Sequence, residues 1–110
     1  MQLPGGDLYA PALHQAASKT ADRSGLSSKN AKALTDLVAA SVAVLNSGDA
    51  NMITLEMRVH DDSVGVKVVG KGCTSPTKKL VKQLTTLAAK KARSFESKST
   101  STAHTISFDV

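Results

Sequence analysis

Two stretches of alternating apolar and polar residues, joined by a short polar segment, constrain the fold of this chain most strongly. The apolar members of the pattern are Ile53, Leu55, Met57 and Val59 in the first stretch and Val64, Val66 and Val68 in the second. A period of two residues is typical of strands that bury one face. The intervening Asp61-Asp62-Ser63 is rich in turn-forming residues. The pattern therefore predicts a β-hairpin over Met52–Val69, followed by Gly70-Lys71-Gly72, where bare backbone can approach a ligand.

Three other segments repeat apolar residues at helical spacing. The first begins near Asp7, which we expect to cap a helix with Pro11 in its first turn, and it ends at Ser24-Gly25. The second covers roughly residues 29–46, with Ser27 or Ser28 as its cap and a broad apolar stripe along it. The stripe consists of Leu34, Leu37, Val38, Ser41, Val42 and Leu45. The third is predicted from about Thr77 to Phe95.

The remaining segments complete the predicted architecture. A short strand is expected at Gln2-Leu3, and a last strand is expected where Ile106, Phe108 and Val110 alternate with polar residues. The Ser/Thr-rich segment Ser97–Thr102 is predicted to be mobile. Together the elements favour the α+β class, a two-layer α/β sandwich with the helices on one face of a mixed sheet.

Composition limits the size and setting of the protein. The chain has 110 residues, the usual size of one domain, so we expect a single domain over residues 1–110. The lone cysteine, Cys73, excludes an internal disulfide and fits a reducing compartment. No apolar run approaches the ~18–20 residues that cross a bilayer, and no signal-peptide pattern opens the chain. These features predict a soluble, cytoplasmic protein without a membrane partner.

Positive charge is concentrated in the C-terminal third of the chain. The formal net charge is +5 with 14 basic residues, and eight of them lie between Lys71 and Lys98, against one acid, Glu96. Three interpretations stay open for this basic segment: a solvated helix face, a surface for an acidic protein, or a nucleic-acid-binding surface. The candidate partner-binding residues are Lys78, Lys79, Lys82, Lys90 and Arg93. Aromatic side chains that could stack on bases are few.

Several segments resemble the small serine-kinase anti-sigma factors of bacteria, members of the GHKL ATPase superfamily. Leu8-Tyr9-x-Pro11-Ala12-Leu13 is similar to the entry of that family's first helix, and Gly25-Leu26 stands at its inter-helix corner. Ala33–Asn46 resembles the helix that carries the family's Glu-x-x-x-Asn element. The hairpin ending in Gly70 and Gly72 resembles the one that ends in Asp-x-Gly-x-Gly. The closing Ala103-His104-Thr105-Ile106-Ser107-Phe108 is similar to the family's Gly-Thr-x-Val-x-Phe strand.

The resemblance implies a GHKL-type (Bergerat) fold, but the side chains that bind nucleotide in that family are replaced. Ala40 stands at the position of the catalytic glutamate, Val44 at the magnesium-binding asparagine, and Val68 at the aspartate that contacts adenine. Only Gly70 and Gly72 of this vestigial pocket match the family's motif. Magnesium requires oxygen ligands and phosphoryl transfer requires positioned charges. The sequence therefore predicts no enzyme activity and no cofactor. The same residues also fit a purely structural interpretation, in which Ala40 and Val44 are core residues of an unrelated sandwich.

The resemblance implies a function in protein–protein regulation. The first hypothesis is a non-catalytic regulatory module of sigma-factor or partner-switching control, which binds a sigma factor or an anti-sigma antagonist. A homodimer is implied by the resemblance only. The alternative is a small basic nucleic-acid-binding domain that uses the lysine-rich third helix. A surviving weak ATPase ranks third.

Other reactive residues have simpler interpretations. His60-Asp61-Asp62 suggests a metal or acid/base site, but it fits a solvated hairpin turn better. Cys73 follows Gly72 near a basic segment that could lower its pKa, although a plain free thiol is the favoured interpretation. His14 and His104 complete no ligand set by spacing.

Overall fold

The structure is a computed structural model that describes residues 1–61, 63–73 and 75–110. Its helices and strands follow one another in the order predicted from the sequence, with one additional strand. The elements are β1 (Gln2–Pro4), α1 (Ala10–Arg23), α2 (Ser28–Ser47), β2 (Met52–Val59), β3 (Val64–Lys71), α3 (Lys78–Lys91), β4 (Ser94–Ser99) and β5 (Ala103–Asp109).

The five strands form one sheet in the order β1-β2-β3-β5-β4. Every neighbouring pair is antiparallel, so the predicted mixed sheet is wrong in this respect. The cause is β4, which the sequence pattern did not indicate. A direct crossover from β3 through α3 to a neighbouring strand would be parallel, but β4 adds one more chain reversal, so β5 returns antiparallel to β3.

The boundary residues predicted for α1 and α2 are confirmed with one exception. Ser27 caps α2 as predicted, since its Oγ accepts a hydrogen bond from the backbone N–H of Asn30 at 3.2 Å. Proline lies in the first turn of α1 as predicted, but the N-cap residue is Tyr9 and no side chain caps the helix. The predicted cap at Asp7 is therefore wrong. Gly25 follows α1 with φ +78°, the left-handed conformation that ends helices.

The C-terminal part of the chain departs most from the sequence-based prediction. α3 ends at Lys91, and Phe95 belongs to β4 rather than to the helix. The prediction of a mobile segment at Ser97–Thr102 is wrong for its first half, because Ser97 pairs with Ile106 across β4 and β5. The strand Ser94–Ser99 contains a single apolar residue, so its pattern shows no alternation. Pairing with β5 supplies the register that the local sequence lacks.

The core lies between the helices and one face of the sheet. The predicted stripe of α2 is buried throughout, from Leu34 to Leu45. It packs on the side of β3 and β5 that carries Val66, Val68 and Ile106. α1 and α3 pack against α2, and the opposite sheet face is left without helices. The two-layer α+β sandwich predicted from the sequence is thereby confirmed.

Within the described part of the chain, none of the three helices is both long and apolar enough to cross a bilayer.

Candidate functional site

Aliphatic side chains fill the place where the resemblance predicts a nucleotide pocket. Val44 is 1% exposed and Val68 is 0% exposed, and both belong to the core, while Ala40 is half-buried. Gly70 lies on the same sheet face as Val68, against α2. A Cβ added to Gly70 would lie 2.9 Å from Leu45 Cδ2 and 3.2 Å from Leu45 Cβ. The Leu45 side chain therefore rests directly on the Gly70 backbone.

The polar side chains of α2 in this region are occupied elsewhere. Asn46, the amide closest along the helix to the predicted metal-ligand position, accepts a hydrogen bond through Oδ1 from the Gly6 N–H at 2.9 Å. The buried Ser41 donates its hydroxyl hydrogen to the Leu37 carbonyl within the same helix, at 2.7 Å. Both side chains are therefore already engaged in hydrogen bonds within the chain.

Both glycines of the Gly-x-Gly motif have structural reasons to be glycine. At Gly70 the close approach of Leu45 leaves no room for a side chain. Gly72 has φ +78°, and an added Cβ would lie 2.5 Å from Asn51 Nδ2. A backbone in this conformation favours glycine. The motif that suggested a ligand-binding loop is thus explained by helix–sheet packing and by chain reversal.

His104 is a buried histidine beside the filled pocket position. It pairs with Gly70 across β3 and β5, on the helix-facing side of the sheet, and it is 6% exposed. Its Nε2 shares a hydrogen bond of 2.8 Å with Ser97 Oγ. Its Nδ1 is buried and has no hydrogen-bond partner among the described residues. Burial lowers the pKa of His104, because the charged ring would lose hydration without gaining a hydrogen-bond acceptor at Nδ1.

Cys73 is a buried thiol rather than a reactive one. It is fully buried, and burial raises its pKa, with a further contribution from the negative charge of Asp49. The alternative of a lowered thiol pKa is therefore wrong. Gly48 allows this packing, because a Cβ there would overlap the Cys73 sulfur.

The turn of the β2–β3 hairpin holds His60 and Asp61, and both are exposed. Asp62 lies outside the described residues. The backbone N–H of His60 donates to the Ser63 carbonyl at 2.8 Å, which closes the turn. Across the described ranges, no group of three or more His, Cys, Asp or Glu side chains has a geometry that could hold a metal ion.

The outer face of α3 carries the basic residues that the sequence singled out. We call this surface the α3 face, and it is a shallow concavity of about 360 Å³. It is lined by Lys79, Lys82, Gln83, Thr86, Leu87 and Lys90. These positions recur every three or four residues, so they form one stripe along the helix. Lys78 is exposed beside it, whereas Arg93 lies beyond the helix, in the connection to β4.

The lysines of the α3 face differ from two other lysines that form ion pairs. Lys91, on the side facing α2, forms an ion pair with Asp36 at 2.9 Å. Lys98 pairs with Glu96 at 2.7 Å. Among the described residues, Lys79, Lys82 and Lys90 form no ion pair or side-chain hydrogen bond.

The first turn of α3 is electrostatically unfavourable. Thr77 is the N-cap but makes no side-chain cap hydrogen bond, and the turn contains no acidic residue. Lys78 and Lys79 instead lie at the end of the helix where the backbone dipole is positive. Helix stability therefore does not account for these two lysines.

Comparison with protein-family models and with curated protein sequences found no match to this chain. The resemblance to anti-sigma factor kinases stays a prediction from the residues quoted above.

Proposed function

We propose that this chain is a non-catalytic regulatory module that binds an acidic protein through the α3 face. The single observation that carries the proposal is a row of three lysines that form no ion pair with any described residue and lie around a half-buried leucine. Lys79, Lys82 and Lys90 surround Leu87, and the helix itself offers them no acid. An apolar centre with a charged rim is the usual anatomy of a protein interface.

The filled pocket position supports the non-catalytic part of the proposal. Phosphoryl transfer needs a metal ion and positioned charges, whereas Leu45 lies against Gly70 and the buried Val44 and Val68 offer only hydrocarbon. The resemblance to anti-sigma factors supplies the biological setting of the proposal, sigma-factor or partner-switching control of transcription. The partner is then a sigma factor or an antagonist of an anti-sigma factor with an acidic surface.

Nucleic acid is the alternative partner, because unpaired lysines also attract phosphates. Proteins that bind single strands usually add aromatic side chains on which bases stack. Phe108 is buried, Phe95 is half-buried in β4, and Tyr9 is the N-cap residue of α1. None of these three rings belongs to the α3 face, which favours a protein partner.

The test compares two variants with the same change in net charge. One carries Lys79→Glu, Lys82→Glu and Lys90→Glu on the α3 face. The other carries Lys19→Glu, Lys29→Glu and Lys32→Glu, which are exposed on α1 and α2. Affinity capture from the native extract identifies the partner, and titration calorimetry with the purified partner then measures the dissociation constant of each variant.

We expect the α3 variant to bind at least ~10-fold more weakly than the control variant, since three attractions between lysines and acidic groups of the partner become repulsions between like charges. Saturating magnesium-ATP should leave the affinity unchanged. Equal affinities for the two variants would contradict the use of the α3 face. Tight, salt-sensitive binding of DNA or RNA that is lost in the α3 variant, without any bound sigma factor or antagonist, would favour the alternative.

A further inference from the structure

The sheet face opposite the helices contains a concavity that is separate from the Gly70 region and from the α3 face. Its volume is about 580 Å³, within the range of about 300–1,000 Å³ that is usual for small-molecule sites. It lies over four strands, β2, β3, β5 and β4. Small residues, among them Gly65 and Ser107, lie between longer side chains on the outer strands.

The strand register sets the order of charges across this concavity. One row runs from Arg58 on β2 through Gly65 and Asp109 to Ser94 on β4. Neighbouring strands are about 4.8 Å apart. Arg58 and Asp109 are therefore separated by about two strand spacings, roughly 10 Å between their backbones. Only Gly65, which has no side chain, stands between this cation and this anion.

The Asp109 carboxylate is held in place over Gly65. Its Oδ2 accepts a hydrogen bond from Ser94 Oγ at 2.7 Å. A Cβ added to Gly65 would lie 2.9 Å from Asp109 Oδ1 and 4.0 Å from His60 Nε2. The missing side chain thus leaves a space that is bordered by a carboxylate oxygen and an imidazole nitrogen.

On the positive side of the space, no acidic side chain of the described residues pairs with the basic groups. Among the described residues, the Arg58 and Lys67 side chains form no ion pair or hydrogen bond. Glu56 stands opposite Lys67 in the next row, and Glu96 is already paired with Lys98 at 2.7 Å. The concavity therefore offers a free guanidinium on one side of Gly65 and an oriented carboxylate on the other.

We propose that this concavity binds a zwitterionic α-amino acid. The ligand carboxylate lies against Arg58 and His60, and the ligand ammonium donates hydrogen bonds to Asp109 over Gly65. An arginine guanidinium matches a carboxylate with two parallel hydrogen bonds. A ligand with a single charge meets only one complementary group and is repelled by the other, so zwitterions are favoured over simple anions or cations. The inference is independent of the function proposed for the α3 face.

The test is an NMR titration of the isotope-labelled full chain with L-alanine, N-acetyl-L-alanine and L-alaninamide. The two derivatives each remove one charge of the zwitterion. We expect saturable shifts of the Arg58, Gly65 and Asp109 amides with L-alanine in the millimolar range, and at least ~10-fold weaker binding of both derivatives, since each loses one charged hydrogen bond.

Matched variants locate the binding. Arg58→Gln and Asp109→Asn should each weaken L-alanine binding at least ~10-fold, while Arg23→Gln and Asp22→Asn on α1 should leave it unchanged. Gly65→Ala is a further variant that keeps both charges but fills the space over the strand, and it too should weaken binding. The amide spectrum of each variant reports whether it folds.

Three results would overturn the proposal. The first is the absence of saturable shifts at these amides with L-alanine. The second is equal binding of either singly charged derivative. The third is unchanged binding in folded Arg58→Gln and Gly65→Ala variants.

Discussion

The region beneath Gly70 and the outer face of α3 differ in how their side chains meet water. Beneath Gly70, aliphatic groups from α2 and β3 are almost completely removed from solvent, and they contact one another closely. On the α3 face, Lys79, Lys82 and Lys90 are exposed, and none of them forms an ion pair with another residue that the structure describes. Burial of apolar area stabilises a fold, whereas exposed charges contribute little to stability. The first region therefore serves the fold, while the second is the surface that we propose for partner binding.

The largest expected effect is the loss of stability when the side chain that packs against Gly70 is truncated. Leu45→Ala removes a fully buried side chain that rests on Gly70. We expect it to lower the free energy of unfolding by about 3 kcal/mol, because truncation of a buried leucine leaves a cavity. Urea unfolding followed by circular dichroism measures the change.

The matched control for this experiment is Leu87→Ala, which shortens a half-buried side chain of the α3 face. It should cost clearly less than Leu45→Ala, while it weakens binding of the acidic partner. Nearly equal losses of stability would break the comparison between the two regions. Leu45→Ala should also gain no affinity for ATP, since it opens space without adding an oxygen ligand.

The next effect is the pH dependence of stability at His104. Its pKa is lowered by burial below the ordinary value of 6.5. Between the folded-state pKa and 6.5, the folded state therefore binds fewer protons at His104 than the unfolded state does. The stability that neutral His104 contributes is complete above pH 6.5 and is lost as the pH falls through the folded-state pKa. Denaturant unfolding at several pH values between neutral and mildly acidic measures the slope.

His104→Gln, which keeps polar atoms but does not titrate, should flatten this slope. His14→Gln is the control, because His14 is exposed on α1. A slope that is unchanged in His104→Gln would show that the buried ring is not responsible.

The extent to which the sequence predicted these regions depends on how local the signals are. The β2–β3 hairpin and the α2 stripe were predictable, because their alternation and their spacing lie within single segments. β4 was not, because its residues are almost all polar and its strand conformation comes from pairing with β5. Tertiary pairing can override a weak local preference.

In the candidate sites, too, features within one segment were predictable, whereas features that depend on contacts between segments were not. The apolar residues Ala40, Val44 and Val68, at the positions that the resemblance assigns to nucleotide binding, were visible in the sequence, but the contact of Leu45 with Gly70 was not. Burial of His104 depends on its register with Gly70, which no short window contains. The concavity over Gly65 combines side chains from four strands, so the sequence pattern gave no sign of it.

The smallest effect concerns the first turn of α3. Lys78→Glu and Lys79→Glu together place negative charge at the positive end of the helix. We expect them to stabilise the fold by about 0.5–1 kcal/mol at low ionic strength, because the helix dipole favours anions there. Thermal unfolding at low and high salt measures the gain and its screening.

The same pair of substitutions should weaken binding of the acidic partner. Lys90→Glu provides the contrast, because it opposes the dipole at the other end of the helix and should not stabilise the fold. A loss of stability in Lys78→Glu/Lys79→Glu would show that these lysines support the fold and would remove the distinction between the two regions.

Titration calorimetry of the purified chain with magnesium-ATP tests the central claim most directly. The account predicts no saturable heat, because Leu45 fills the space against Gly70, and the buried Val44 and Val68 stand where the resemblance places a metal ligand and a hydrogen-bond acceptor for adenine. Saturable one-to-one binding with a micromolar dissociation constant would contradict it.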